Sequence, residues 1–188
     1  MNSKVKKMVG IGLFTAIVVV LQLIGATIKV GMFSVSLVLL PIVVGAAVYG
    51  WDAGLWLGFS FGAAVLLSGD AAPFMAVNVL GTVVTVLVKG AACGAVAGLV
   101  YKLLQKKRFL AVLGAALCCP VVNTGVFLLG CRLFFFDTIA QWGAAAGFAN
   151  AGAYMFVGLA GVNFLVEVVT NLLLAPVIVR LIKIGTKN

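Results

Sequence analysis

The sequence predicts an all-α integral membrane protein, a six-transmembrane-helix bundle with both termini cytoplasmic. Three observations predict it. Of 188 residues, 64% are hydrophobic and 9% charged, whereas a soluble domain is about a quarter charged and under half apolar. Lipid can absorb that excess of Val, Leu, Ala, Gly and Phe; a water-soluble core cannot. Six stretches also supply the roughly 20 apolar residues that a crossing needs. Finally, ten of the 13 Lys and Arg fall in three clusters that flank apolar runs, the pattern of loops kept on the cytoplasmic side.

The expected spans are about 8–25, 32–50, 51–69, 77–101, 109–133 and 154–182, within one membrane domain covering 1–188. The first follows a basic start but is longer than the roughly 7–15 residues of a signal-peptide core, so it reads as a retained span. The second and third are separated only by Gly50, Trp51 and Asp52, and Pro41 interrupts the second. They are either two crossings or a re-entrant hairpin. Both choices leave the three basic clusters on one side: Lys4, Lys6 and Lys7; Lys102, Lys106, Lys107 and Arg108; Arg180, Lys183 and Lys187. The opposite loops hold Lys29 and Arg132, and Lys89 lies inside a span. Of the outer connections 26–31, 70–76 and 134–153, the last is the longest and rich in aromatics and Gly, which marks it as functional rather than a bare connector.

Several function classes are excluded. A net charge of +9 would suit nucleic acid only on a solvated basic face, and here the charges flank apolar runs. There is no histidine, hence no His-based dyad or metal site. Cys93, Cys118, Cys119 and Cys131 have no zinc spacing and read as small apolar residues. The GxxxxGK[ST], GxSxG and HExxH motifs are missing, and four acidic residues leave little for a carboxylate-pair hydrolase. No enzyme, cofactor or metal is expected.

Polar residues within the spans carry the functional signal. Lys89 and Glu167 each lie 12 residues from the outer ends near Val77 and Met155, about 18 Å deep at 1.5 Å per residue. A bare charge there costs roughly 2.5–3.5 kcal/mol on insertion scales. Matched depth and opposite sign allow two readings, a structural ion pair or a shared ligand site. Asn78, Thr82, Thr85 and Lys89 share one helix face, as do Asn163, Glu167 and Asn171, with Thr170 alongside. Asn123 and Thr124 sit roughly 14–15 Å from the outer end of the fifth span. Any single Asn can be interhelical glue, but three polar faces below one aromatic loop suggest a pocket. Arg132 with Lys89 would take an anionic group, and Trp142, Phe148 or Tyr154 would pack on a ring. The favoured ligand is a small, partly anionic molecule with an apolar or aromatic part.

Small residues recur every four positions at Gly54, Gly58 and Gly62, at Gly90, Gly94 and Gly98, and at Gly12 and Ala16. Such stripes let a neighbouring backbone approach closely. The two long stripes suit packing within the bundle, and Gly12 with Ala16 suits docking of a partner's helices.

Over essentially its whole length the chain resembles the substrate-capture (S) subunits of energy-coupling factor (ECF) transporters, the bacterial vitamin importers. The resemblance rests on length, span count, the Gly12–Ala16 step, and three stretches. These are Leu39-Leu40-Pro41-Ile42-Val43-Val44-Gly45-Ala46, then Tyr49-Gly50 to Gly54, and Cys119-Pro120-Val121-Val122-Asn123-Thr124-Gly125. It implies a vitamin or precursor held near the outer face of the cell membrane and lidded by outer loops. It also implies docking through first-helix small residues on a membrane-embedded coupling subunit driven by two ATPase subunits, with inward release by toppling in the bilayer. The family's first-helix motif is Ala-xxx-Ala, and Gly12 replaces the first Ala here. Trp51 stands where the family often has Pro. Two alternatives are a structural membrane scaffold, which needs no polar pocket, and a stand-alone secondary transporter, which would couple to protons or sodium through Glu167.

Overall fold

The computed structural model describes residues 3–27, 29–30, 33–34 and 37–185. Among the described residues the regular structure is helical apart from one two-residue antiparallel pairing, β1 (Lys29–Val30) with β2 (Phe33–Ser34). Helix α1 (Ser3–Gly25) precedes that pairing. Then come α2 (Leu39–Tyr49), α3 (Trp51–Ser68), α4 (Ala72–Met75), α5 (Val79–Leu104), α6 (Arg108–Phe134) and α7 (Phe136–Ala145). A one-turn α8 (Ala151–Ala153) opens into a π-helical segment (Tyr154–Gly161), followed by α9 (Val162–Leu173) and α10 (Ala175–Gly185). Among the described residues, five helical stretches are long and apolar enough to cross a membrane: Lys4–Gly25, Trp51–Ser68, Val79–Leu104, Arg108–Phe134 and Ala151–Leu173.

The structure corrects four sequence expectations. Helix α2 starts at Leu39 rather than near 32, and its 11 residues extend only about 16 Å, half the roughly 30 Å of a bilayer core. Pro41 does not interrupt this helix; it sits in the first turn, where its missing N–H has no helical partner to lose. The 134–153 connection is largely helical, because Ile139 and Gly143 of α7 bury against the bundle while its polar residues face out. The last span is broken at Leu174. Pro176 follows in the next turn, cannot donate to the preceding helix and biases the chain before it away from helical dihedrals. The segments 28, 31–32, 35–36 and 186–188, including Lys187, lie outside the described residues, as does the side chain of Lys29.

Two glycine stripes pair α3 with α5. A Cβ at Gly58 would collide with the Gly90 carbonyl, one at Gly54 or Gly94 with the other's carbonyl, and one at Gly98 with the Trp51 backbone. Backbones this close gain dispersion contact that side chains would block, which is how helices associate in lipid. The α2–α3 turn is a single residue, Gly50 at φ 103°, a conformation that disfavours a Cβ.

Helix α2 is the most deeply enclosed element. Leu39, Ile42 and Val43 are fully buried among Val18 of α1, Leu57 of α3, Cys93 and Ala97 of α5, Val112 and Cys119 of α6, and Ile178 and Ile182 of α10. This apolar half of the bundle carries the described basic clusters. Lys7 of α1 pairs with Asp52 at 2.6 Å beside the α2–α3 turn. Gly98 brings the basic end of α5 to Trp51, and α10, with Arg180 and Lys183, packs on α2 and α6. The exposed Lys7–Asp52 pair stabilises by about 0–1 kcal/mol; its value here is that it locates the ends.

Gly58→Val should lower the unfolding midpoint of the detergent-solubilised protein by about 5 °C or more, since overpacking costs about 1–3 kcal/mol. Gly12→Val, where an added Cβ meets nothing within 4 Å, should leave the midpoint unchanged in the same melt.

Candidate functional site

The half of the bundle opposite the basic clusters holds a cavity of about 610 Å³, its open mouth included. Its polar wall comes from Thr82, Thr85 and Lys89 of α5, Asn123 of α6, and Asn163 and Glu167 from the last span. Steps of three, four and four put these groups on single faces of their helices. The antiparallel run of α5 and α6 then matches their depths. Gly130 makes room for Thr85, since a Cβ there would strike the Thr85 side chain. Phe61 and Val65 of α3, Ala71, Phe74 of α4, Phe127 of α6 and Phe135 form the apolar wall.

Lys89 and Glu167 face the same cavity without forming a direct ion pair within 4.0 Å. The Lys89 ammonium lies 5.6 Å from the Phe61 ring centroid and 5.4 Å from that of Phe127, within the range in which a ring quadrupole attracts a cation. Glu167 is 2% exposed and Asn123 5%. Glu167 Oε2, Asn123 Oδ1 and Thr85 Oγ1 are buried without a hydrogen-bond partner. Buried polar atoms are rarely left so, and each such orphan costs about 1–3 kcal/mol. Asn171, one turn below Glu167, donates to the Glu167 carbonyl at 2.9 Å and stands outside the wall.

Sequence reasoning missed Gln22 and Asp70. Gln22, 2% exposed, donates to Asp70 Oδ2 at 2.7 Å and to Ser68 Oγ at 3.4 Å, so α1 reaches the cavity. A lone amide in an apolar run was the available signal. Phe61, Phe74 and Phe127 carried none, because apolar residues dominate these segments, whereas Phe135 belongs to the aromatic 134–153 connection.

Three expected site residues stand outside the wall. The Asn78 carboxamide caps α5, accepting from the Gly81 N–H at 2.9 Å. Arg132 is exposed, its guanidinium 4.0 Å from the Phe136 ring centroid, because it lies on the α6 face away from the cavity. Trp142 backs the wall from α7, at 5.5 Å and 76° from the Phe74 ring. Phe74 also meets Phe127 and Phe135 edge-on at 5.7 and 5.1 Å, so it ties α4, α6 and α7 into an aromatic cover. Tyr154 and Phe148 pack on each other at 5.2 Å within this cover. On α1, Gly12 and Ala16 face outward among Met8, Leu13 and Val20, while Gly10 abuts Tyr49.

An apolar multi-helix bundle with five helices able to span a bilayer among the described residues defines a multi-pass membrane protein. Residues 6–179 match the family model for the ECF transporter, substrate-specific component. The chain belongs to that family, whose members are substrate-binding components of transporters and not enzymes. No curated protein and no solved structure matches it.

Asn78→Ala should cost about 1 kcal/mol through loss of the cap, read as a lower melting midpoint, with ligand affinity within about twofold of the parent.

Proposed function

We propose that this chain is the high-affinity substrate-capture subunit of an ECF-type importer for a small water-soluble vitamin or precursor. It is a single six-helix domain, with α2 as the short member, set in a bacterial cell membrane with both termini cytoplasmic. The observation that carries the reading is the cavity wall in which buried atoms of Thr85, Asn123 and Glu167 lack partners, in a chain of this family. A structural scaffold would have no reason to carry their desolvation cost.

In this reading Thr82, Thr85, Lys89, Asn123, Asn163 and Glu167 contact the ligand. Trp142 acts in the cover, Asn78 sets the start of α5, and Arg132, turned from the cavity, contributes to ligand binding only through long-range attraction of an anionic group. The exposed face of α1 supports the docking step. Its small residues Gly12 and Ala16 offer close approach to a transmembrane coupling subunit, which two ATPase subunits would drive. The three basic clusters at one end support the cytoplasmic placement of that end.

Mass spectrometry of the purified subunit should find a bound vitamin-like compound. Lys89→Ala should weaken its binding by well over tenfold while the protein still inserts; parent-like affinity, followed by tryptophan quenching, would remove Lys89 from the contacts. Gly12→Trp or Ala16→Trp should abolish co-purification with the coupling subunit and leave ligand binding intact. A dependence of uptake on protons or sodium through Glu167, without ATP, would instead indicate a secondary transporter.

A further inference from the structure

The cavity also constrains the chemistry of its occupant. We infer that it takes a flat nitrogen heterocycle that presents N–H donors, an amino-substituted or ring-protonated compound, rather than a molecule that is only an anion. The inference rests on the capture reading above and narrows it.

The unpartnered atoms set the polarity. With Glu167 as the carboxylate that balances Lys89 across the cavity, its Oε2 and the amide Oδ1 of Asn123 can only accept hydrogen bonds and call for donors. Thr85 Oγ1, the third orphan of this wall, can do either and takes the neighbouring atom. Lys89 is the wall's cationic donor, and Glu167 on the same cavity offsets its charge. The wall is therefore no net trap for anions. An anionic ligand without N–H groups would set its charge beside Glu167 and leave both acceptors unmet, which costs affinity twice. A ring bearing a donor next to an acceptor meets all of them, with the acceptor turned to Lys89.

The apolar wall sets the shape. Phe61 and Phe127, which flank the Lys89 ammonium, share the cavity with Phe74 and Phe135. Aromatic rings favour offset or edge-on contact with another flat ring.

The test is a fluorescence titration of the purified full-length protein. Trp142 serves as reporter because it touches Phe74 of the wall. The probes are adenine, cytosine and 4-aminopyrimidine against benzoate and adipate. At least one amino heterocycle should bind saturably, and Glu167→Gln should weaken it by about 30-fold or more, with elution and melting of the variant unchanged. Asn123→Ala should weaken the same probe, which keeps the test decisive if Glu167→Gln misfolds. Binding of benzoate or adipate alone, lost in Lys89→Ala, would overturn the donor inference and leave the capture reading standing. Unchanged affinity of the heterocycle in Glu167→Gln would also overturn it. Failure of every probe, with no compound extractable from the purified protein, would remove both readings.

Discussion

The close approach of α3 to α5 is the constraint on which the rest of the structure depends. Lipid supplies no hydrophobic force between helices, so association relies on dispersion between surfaces that fit. Glycine at Gly54, Gly58, Gly90 and Gly94 brings backbone carbonyls within reach of the facing helix. Phe61 follows Gly58 by one turn, and Lys89 precedes Gly90. The register that joins the stripes therefore also sets the Lys89 ammonium over the Phe61 ring. Packing and site share one geometry.

A second constraint is the length of α2. Its 11 residues fill only the half of the bundle that carries the basic clusters, and there the core is dry and apolar. The other half is walled by polar side chains from three helices and by Gln22 from α1. Low dielectric makes an unmatched buried polar atom expensive, so this half carries a desolvation cost at Thr85, Asn123 and Glu167. Its cover, in which Phe74 joins α4 to α6 and α7 through ring contacts, is built of short elements. Short elements are the first to open where a fold opens locally, although Phe74, Phe135, Ile139 and Tyr154 of this cover are buried together. The eight-residue π-helical segment beneath that cover fits the same pattern, since π-bulges cluster at functional positions.

Much of the site could be read without coordinates. Thr82, Thr85 and Lys89, like Asn163 and Glu167, stand out because polar groups are rare in spans and their spacing shares a face. Asn78 continued the same ladder, yet at a helix start the backbone's unpaired N–H groups claim the side chain. Arg132 stands at the outer end of α6, on a face turned from the cavity. Gln22 and Asp70 come together from positions 48 residues apart, a distance over which spacing carries no information.

Composition and the placement of charge alone determined that this is a helical membrane protein, because transfer free energies depend on residue type and local sequence. The periodicity of polar residues determined which of them share a helix face, because that follows from 3.6 residues per turn. Only the tertiary structure decided which faces meet, that Lys89 rests between aromatic rings instead of on Glu167, and that α2 stops halfway. Those outcomes depend on how helices rotate and pack against one another, and no single segment encodes that rotation.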